Sequence, residues 1–110
     1  YPRIVQTFLM DYATPDKVEA GWQGYNRGLL ICGSGFGMSI ASNRHPQIRS
    51  VVCRSAKEAE MARKHNDANV LCLGADFTTL NQAKKICEAF FTTKFEGGRH
   101  KTRIESIGNY

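Results

Sequence analysis

The run GLLICGSGFGMSIA, residues 28–41, constrains this chain more than any other part of it. Its apolar half ends in Cys32 and gives way to Gly33, Gly35 and Gly37 at alternate positions, after which helix-compatible residues begin. Such a run predicts a buried strand, a tight turn and a helix N-terminus. Glycines let backbone N–H groups come close to a ligand with no side chain in between, and a helix start adds positive partial charge at the same place. A thiol therefore stands beside an anion-binding turn, an arrangement suited to chemistry on an anionic substrate. A turn that only packs helix against strand would look alike in G-x-G alone.

Three known uses of such a turn each fail on a residue. A P-loop ends in Gly-Lys-Ser/Thr, whereas Met38 and Ser39 follow Gly37 here. A dinucleotide fold needs G-x-G-x-x-G and an acidic residue about 20 positions on, where this chain has Cys53 and Arg54. A cysteine-dependent phosphatase needs an arginine six positions after its nucleophile, and that position is Met38.

The 110 residues suffice for one domain, 1–110, with a modest core. No apolar run approaches the roughly 18 residues of a membrane span, and no signal-peptide pattern opens the chain. Cys32, Cys53, Cys72 and Cys87 show no C-x-x-C spacing and no neighbouring paired histidines, which argues against a metal, a cofactor-bearing cluster or a disulfide framework. Free thiols fit a reducing cytoplasm. The net charge of +5 favours anionic partners. Its basic residues are scattered from Arg3 to Arg103 with no nucleic-acid module, so a small phosphorylated substrate accounts for the charge as well as nucleic acid does.

Along the chain, a helix is expected over 2–12. Strands are expected at Gly28–Cys32, Ile48–Cys53 and Asn69–Leu73, and helices at Phe36–Asn43, from a Ser55–Glu58 capping box to His65, and from a Thr79–Gln82 box to Thr93. The third of these helices should bury Leu80, Ala83, Ile86 and Phe90 on one face. A last helix follows Gly97 and Gly98. Alternating strands and helices imply an α/β fold: a doubly wound, Rossmann-like parallel sheet with helices on both faces. Ligands of such sheets bind beyond the carboxyl ends of the strands, where Cys32 falls.

Two further segments carry polar chemistry. His65-Asn66-Asp67 precedes a buried strand and on its own reads as a surface cap and turn. Arg99 and Arg103 share a helix face and repel slightly, and Arg99 opposes the dipole of a helix start; a bound phosphate would relieve both. An exposed basic helix would read the same way.

Taken together, the GLLICGSGFGMS run at 28–39, HNDANV at 65–70 and FEGGRH-x-x-R at 95–103 resemble the type B ribose-5-phosphate isomerases, a group that also holds allose- and galactose-6-phosphate isomerases. The resemblance covers nearly all of residues 28–107. It implies a metal-free and cofactor-free aldose–ketose isomerase of the cytoplasm, interconverting ribose 5-phosphate and ribulose 5-phosphate, with its site at the interface of a homodimer or dimer of dimers. Nucleic acid and membrane are not expected as partners. By motif, Cys32 matches the base that moves the proton between C1 and C2, Ser34 a hydroxyl on the sugar oxygen, and His65 the ring-opening residue. Gly33, Gly35 and Gly37 match the loop around the enediolate, Asn66 and Tyr1 substrate contacts, and Arg99 and Arg103 the phosphate binders. Some members carry glutamate where Met38 stands, and many carry arginine where Asp76 stands. The family's opening strand–helix–strand, with its Asp-His-Ala-Gly, has no counterpart here, so the resemblance implies a domain lacking that N-terminal portion. A six-carbon phosphate isomerase (or one subunit of it) and a non-catalytic sugar-phosphate-binding module are the alternative readings. The rings of Phe90, Phe91 and Phe95 are expected at a subunit interface.

Overall fold

A computed structural model describes residues 27–107. The expected helix over 2–12 and the substrate contact at Tyr1 lie outside them. Among the described residues, three parallel strands form a sheet: β1 (Gly28–Cys32), β2 (Ser50–Val52) and β3 (Val70–Gly74), in the spatial order β1-β3-β2. Gly28 pairs with Val70 and Cys32 with Gly74, while Ser50 pairs with Val70 on the other side. Between and after the strands run α1 (Phe36–Ser42), α2 (Ala56–Asn66), α3 (Leu80–Thr92) and α4 (Arg99–Ser106).

β3 is central and buried along its whole length, the burial expected of an apolar run covered on both faces. Its side chains alternate between two cores. Val70 and Cys72 join Leu30, Ile48 and Met38 of α1 on one face. Leu71 and Leu73 join Ala59 of α2 and Ile86 and Phe90 of α3 on the other. The fold is thus α/β and wound on both faces, as the alternation of elements implies.

The differences from expectation lie at element ends and have local causes. β2 is shorter than Ile48–Cys53 because its approach is spent on turns: Ile48 N–H donates to His45 O, and Arg49 N–H to the Asn69 side chain at 2.8 Å. α1 stops before Asn43, whose amide clasps β2 by donating to Ser50 O (3.0 Å) and accepting from Ser50 N–H (2.7 Å). The Thr79–Gln82 capping box is complete. The Ser55 box is half made, since Ser55 accepts from Glu58 N–H while the Glu58 carboxylate turns to Arg54 N–H at 2.8 Å. Leu80 does not join the buried face of α3; at the helix's first residue it is 72% exposed. Phe90 is fully buried in the core, which removes it from any exposed aromatic surface, whereas Phe91 is exposed.

Arg63 of α2 fastens the helix layer. Its buried guanidinium donates to Thr93 O (3.0 Å), Ala68 O (2.6 Å) and Asp67 (2.7 Å). Asp67 ends α2 in the left-handed region at φ 47° and also pairs with Arg49 at 3.3 Å. Aspartate tolerates that conformation better than most residues.

Candidate active site

Cys32 closes β1 at the carboxyl edge of the sheet. The chain then turns through Gly35 at φ 84°, a conformation open to glycine and costly for most other residues. The turn is bound to the segment after β3: Ala75 N–H donates to Cys32 O at 2.8 Å and Asp76 N–H to Gly33 O at 2.9 Å. Gly74 is required by this approach, because a Cβ there would lie 2.5 Å from Ser34 O. Gly74 escaped sequence reasoning, although a glycine closing a buried strand is a signal of close backbone approach.

The turn acts on the thiol. Gly35 N–H donates to Cys32 Sγ at 3.2 Å. The backbone N–H of Met38 holds the Cys32 pKa below the ordinary thiol value; partial burial opposes this, and the N–H groups of Gly35, Ser34 and Gly37 reinforce it. Cys53 and Cys72, buried away from such donors, are pushed up to about 12 and about 11. Among the four free thiols, Cys32 alone is shifted toward the thiolate, the form that accepts a proton. Ser34 Oγ accepts from Phe36 N–H at 3.1 Å, leaving its hydroxyl proton for another acceptor. Asp76 lies over Gly33, its Oδ2 only 3.0 Å from where a Cβ on Gly33 would be. Arg54 flanks the same edge, its guanidinium 4.7 Å from the centroid of Phe77 and 5.6 Å from that of Phe36.

The second group of expected residues gathers elsewhere. His65 is in the last turn of α2 and stacks on His100 of α4, with ring centroids 4.6 Å apart and planes 20° from parallel. Gly97 and Gly98, both at positive φ, turn the chain so that α4 returns against α2. Arg99 and Arg103 are exposed on α4, and Asn66 is exposed at the end of α2. A cavity of about 600 Å³ opens beside Asn66, lined also by Arg49, Ser50 and Ile104. His100 and Glu96 were not singled out from sequence; the FEGGRH run holds both, but nothing local shows that they meet His65.

These two groups occupy opposite edges of the sheet. The α2–β3 turn bonds to the amino edge, where Asn69 N–H donates to Arg49 O and Gly28 N–H to Asn69 O. Cys32 lies at the carboxyl edge, a strand's length away, or roughly 13 Å at about 3.3 Å per residue. One chain therefore brings Cys32, Ser34 and the three glycines together at one edge, and His65, Asn66, Arg99 and Arg103 together at the other.

The chain is similar to known proteins in sequence and in fold. Residues 6–107 fit the Ribose/Galactose Isomerase family. Ribose-5-phosphate isomerase B of Escherichia coli is 48% identical over 80 residues, covering 73% of this chain and 54% of its own length. A putative sugar phosphate isomerase of Bacillus subtilis is 42% identical over 102 residues, 91% of this chain and 67% of its own. The crystal structure of ribose-5-phosphate isomerase B from Mycoplasma genitalium with bound ribulose-5-phosphate superposes at a TM-score of 0.79 with 37% identity, covering all of this chain and 68% of that one. The chain belongs to the ribose/galactose isomerase family. It spans about half the length of several curated relatives it matches.

Proposed function

We propose that the protein is an aldose–ketose isomerase for ribose 5-phosphate and ribulose 5-phosphate, with each site built from two copies of the chain. The observation that carries the reading is the Cys32 thiol, shifted toward thiolate by the backbone N–H groups of a glycine turn. In the open-chain aldose, the C1 carbonyl acidifies the C2–H bond. The Cys32 thiolate takes that proton, the C–H electron pair becomes the C1=C2 bond, and O1 gains negative charge. The enediol oxygens then exchange their proton, the thiol returns its own to C1, and C2 becomes the carbonyl. N–H groups aimed at the developing oxyanion lower the barrier without reorganising, and the Ser34 hydroxyl supplies a further donor.

His65 opens the furanose ring, Asn66 holds a sugar hydroxyl, and Arg99 and Arg103 grip the phosphate. Because these lie an edge away from Cys32, the reading needs a partner copy, arranged as a homodimer or a pair of dimers. Two-fold pairing supplies two equivalent sites. Binding energy at the phosphate orients the reacting carbons at the other end of the substrate. The M. genitalium structure, with its bound ribulose-5-phosphate, supports the five-carbon substrate. Free thiols fit a reducing cytoplasm, and among the described residues no helix is long and apolar enough to cross a membrane.

The test is Cys32→Ala. It should abolish isomerisation while a phosphorylated substrate analogue still binds; full activity would end the assignment. Turnover of ribose 5-phosphate against allose 6-phosphate fixes the substrate, and a large preference for the six-carbon sugar would overturn that choice. Analogue binding by a wild-type protein with no turnover of either sugar would favour the non-catalytic reading.

A further inference from the structure

We propose that His65, Glu96 and His100 form a binding site for a divalent transition-metal ion of the zinc class, and that an ion held there withdraws the His65 imidazole from ring opening. The three residues each offer one ligand atom, and these atoms lie within 4.8 Å of one another. A tetrahedral ion with bonds of about 2.0–2.1 Å holds its ligand atoms roughly 3.3 Å apart. The gap closes by side-chain rotation, for which exposed Glu96 and half-buried His65 have room.

A second observation points to a ligand independently of the spacing. His100 is 6% exposed, and its Nδ1 is buried with no hydrogen-bond partner among the described residues. An imidazole nitrogen left so is costly unless something satisfies it. Burial above all, then the charges of His65, Arg99 and Arg103, lower the His100 pKa, with Glu96 opposing.

The backbone holds the cluster together from both sides. Glu96 N–H donates to Lys64 O at 3.2 Å, beside His65, and His100 N–H donates to Gly97 O at 3.2 Å. Two imidazoles and one carboxylate suit zinc, cobalt or nickel; magnesium and calcium prefer all-oxygen sets. With three ligands the ion keeps an open position, as catalytic zinc sites do. Arg99 and Arg103 nearby oppose a cation, so the site is a weak, reversible one and not a structural staple.

Only the effect on activity rests on the proposed isomerase function; metal binding stands apart from it. Zinc titration of the intact protein by calorimetry should give one ion per chain, and cobalt should give the d–d absorption of a low-coordinate site. Glu96→Gln and His100→Ala should each weaken binding by at least about tenfold, whereas Cys32→Ser should leave it unchanged. Circular dichroism checks that the buried His100 variant folds, and the exposed Glu96 variant tests the site without that concern. No zinc binding, binding unchanged in Glu96→Gln, or binding lost in Cys32→Ser would each overturn the site. Zinc should also inhibit wild-type isomerisation, reversed by chelator, with Glu96→Gln less sensitive. Binding that depends on Glu96 without any isomerase activity would leave the site standing and sink the functional reading instead.

Discussion

Gly74→Ala probes how the fold makes the thiol site. An added Cβ would lie 2.5 Å from Ser34 O, 2.6 Å from Ser34 C and 3.0 Å from Ser34 Cα, all of them backbone atoms. None can swing aside as the end of a side chain would. Relief to ordinary contact, at about 3.4 Å, requires the turn to move by somewhat under 1 Å relative to β3. That motion strains the Ala75–Cys32 and Asp76–Gly33 hydrogen bonds and carries the N–H groups away from Cys32 Sγ. Overpacking of this kind typically costs about 1–3 kcal/mol. At roughly 4–8 °C per kcal/mol for a domain of this size class, the melting temperature should fall by about 5–20 °C. The second readout is the pH midpoint of Cys32 alkylation, which should rise as the donors withdraw. Gly97→Ala is the control: unlike Gly74, Gly97 sits at a positive φ of 74°, and it has nothing within 4 Å of its Cβ, so it should cost about 1–2 kcal/mol from the backbone conformation alone and leave the Cys32 midpoint in place. A Gly74→Ala protein with wild-type melting and an unmoved midpoint would refute the claim that this approach positions the thiol.

Other outcomes follow from the same geometry. Iodoacetamide mapped by mass spectrometry should modify Cys32 first, at a pH below the ordinary thiol range, while Cys53 and Cys72 react only on unfolding; under the proposed mechanism, in which the thiolate is the base, kcat should climb as pH rises through the lowered Cys32 pKa and then level off. Arg63→Ala strands Thr93 O and Ala68 O and removes the guanidinium from the face of Phe90; urea unfolding should show a loss of about 2–4 kcal/mol, and a change within about 0.5 kcal/mol would contradict the role given to it. Replacing Arg99 and Arg103 together by Ala should raise the KM for ribose 5-phosphate and lower turnover with little effect on melting; unchanged kinetics would remove them from the phosphate site.

The local features were readable in the sequence because they depend on neighbours. The apolar run up to Cys32 gives β1 at its observed bounds, and Thr79 with Gln82 gives the start of α3. Patterns that leave competing partners open read less well. Glu58 satisfies either Ser55 N–H or Arg54 N–H, and spacing alone does not choose. Leu80 fits the apolar stripe of α3, yet the stripe begins before that helix meets the sheet. Phe90 and Phe91 are adjacent aromatics, and which one the helix turns inward depends on phase, fixed by Ile86 and Ala83 packing beside it. The glycine turn and its thiol were legible as a unit. The stacking of His65 on His100 was not, because two distant segments meet only through the turn at Gly97 and Gly98. Nor was the separation of the two groups of residues, which depends on which strand edge each loop joins.

The central claim is that Cys32 of one copy works with His65 of another. Cys32→Ala and His65→Ala proteins, each inactive alone, can be mixed, partly unfolded and refolded together to exchange subunits. A two-fold dimer that exchanges at random should recover about a quarter of wild-type activity, because about half of the dimers are mixed and each mixed dimer holds one intact site of two. Activity that stays at the level of the separate variants, in a mixture shown by native mass spectrometry to contain mixed dimers, would place both residues in one chain's site and contradict the account.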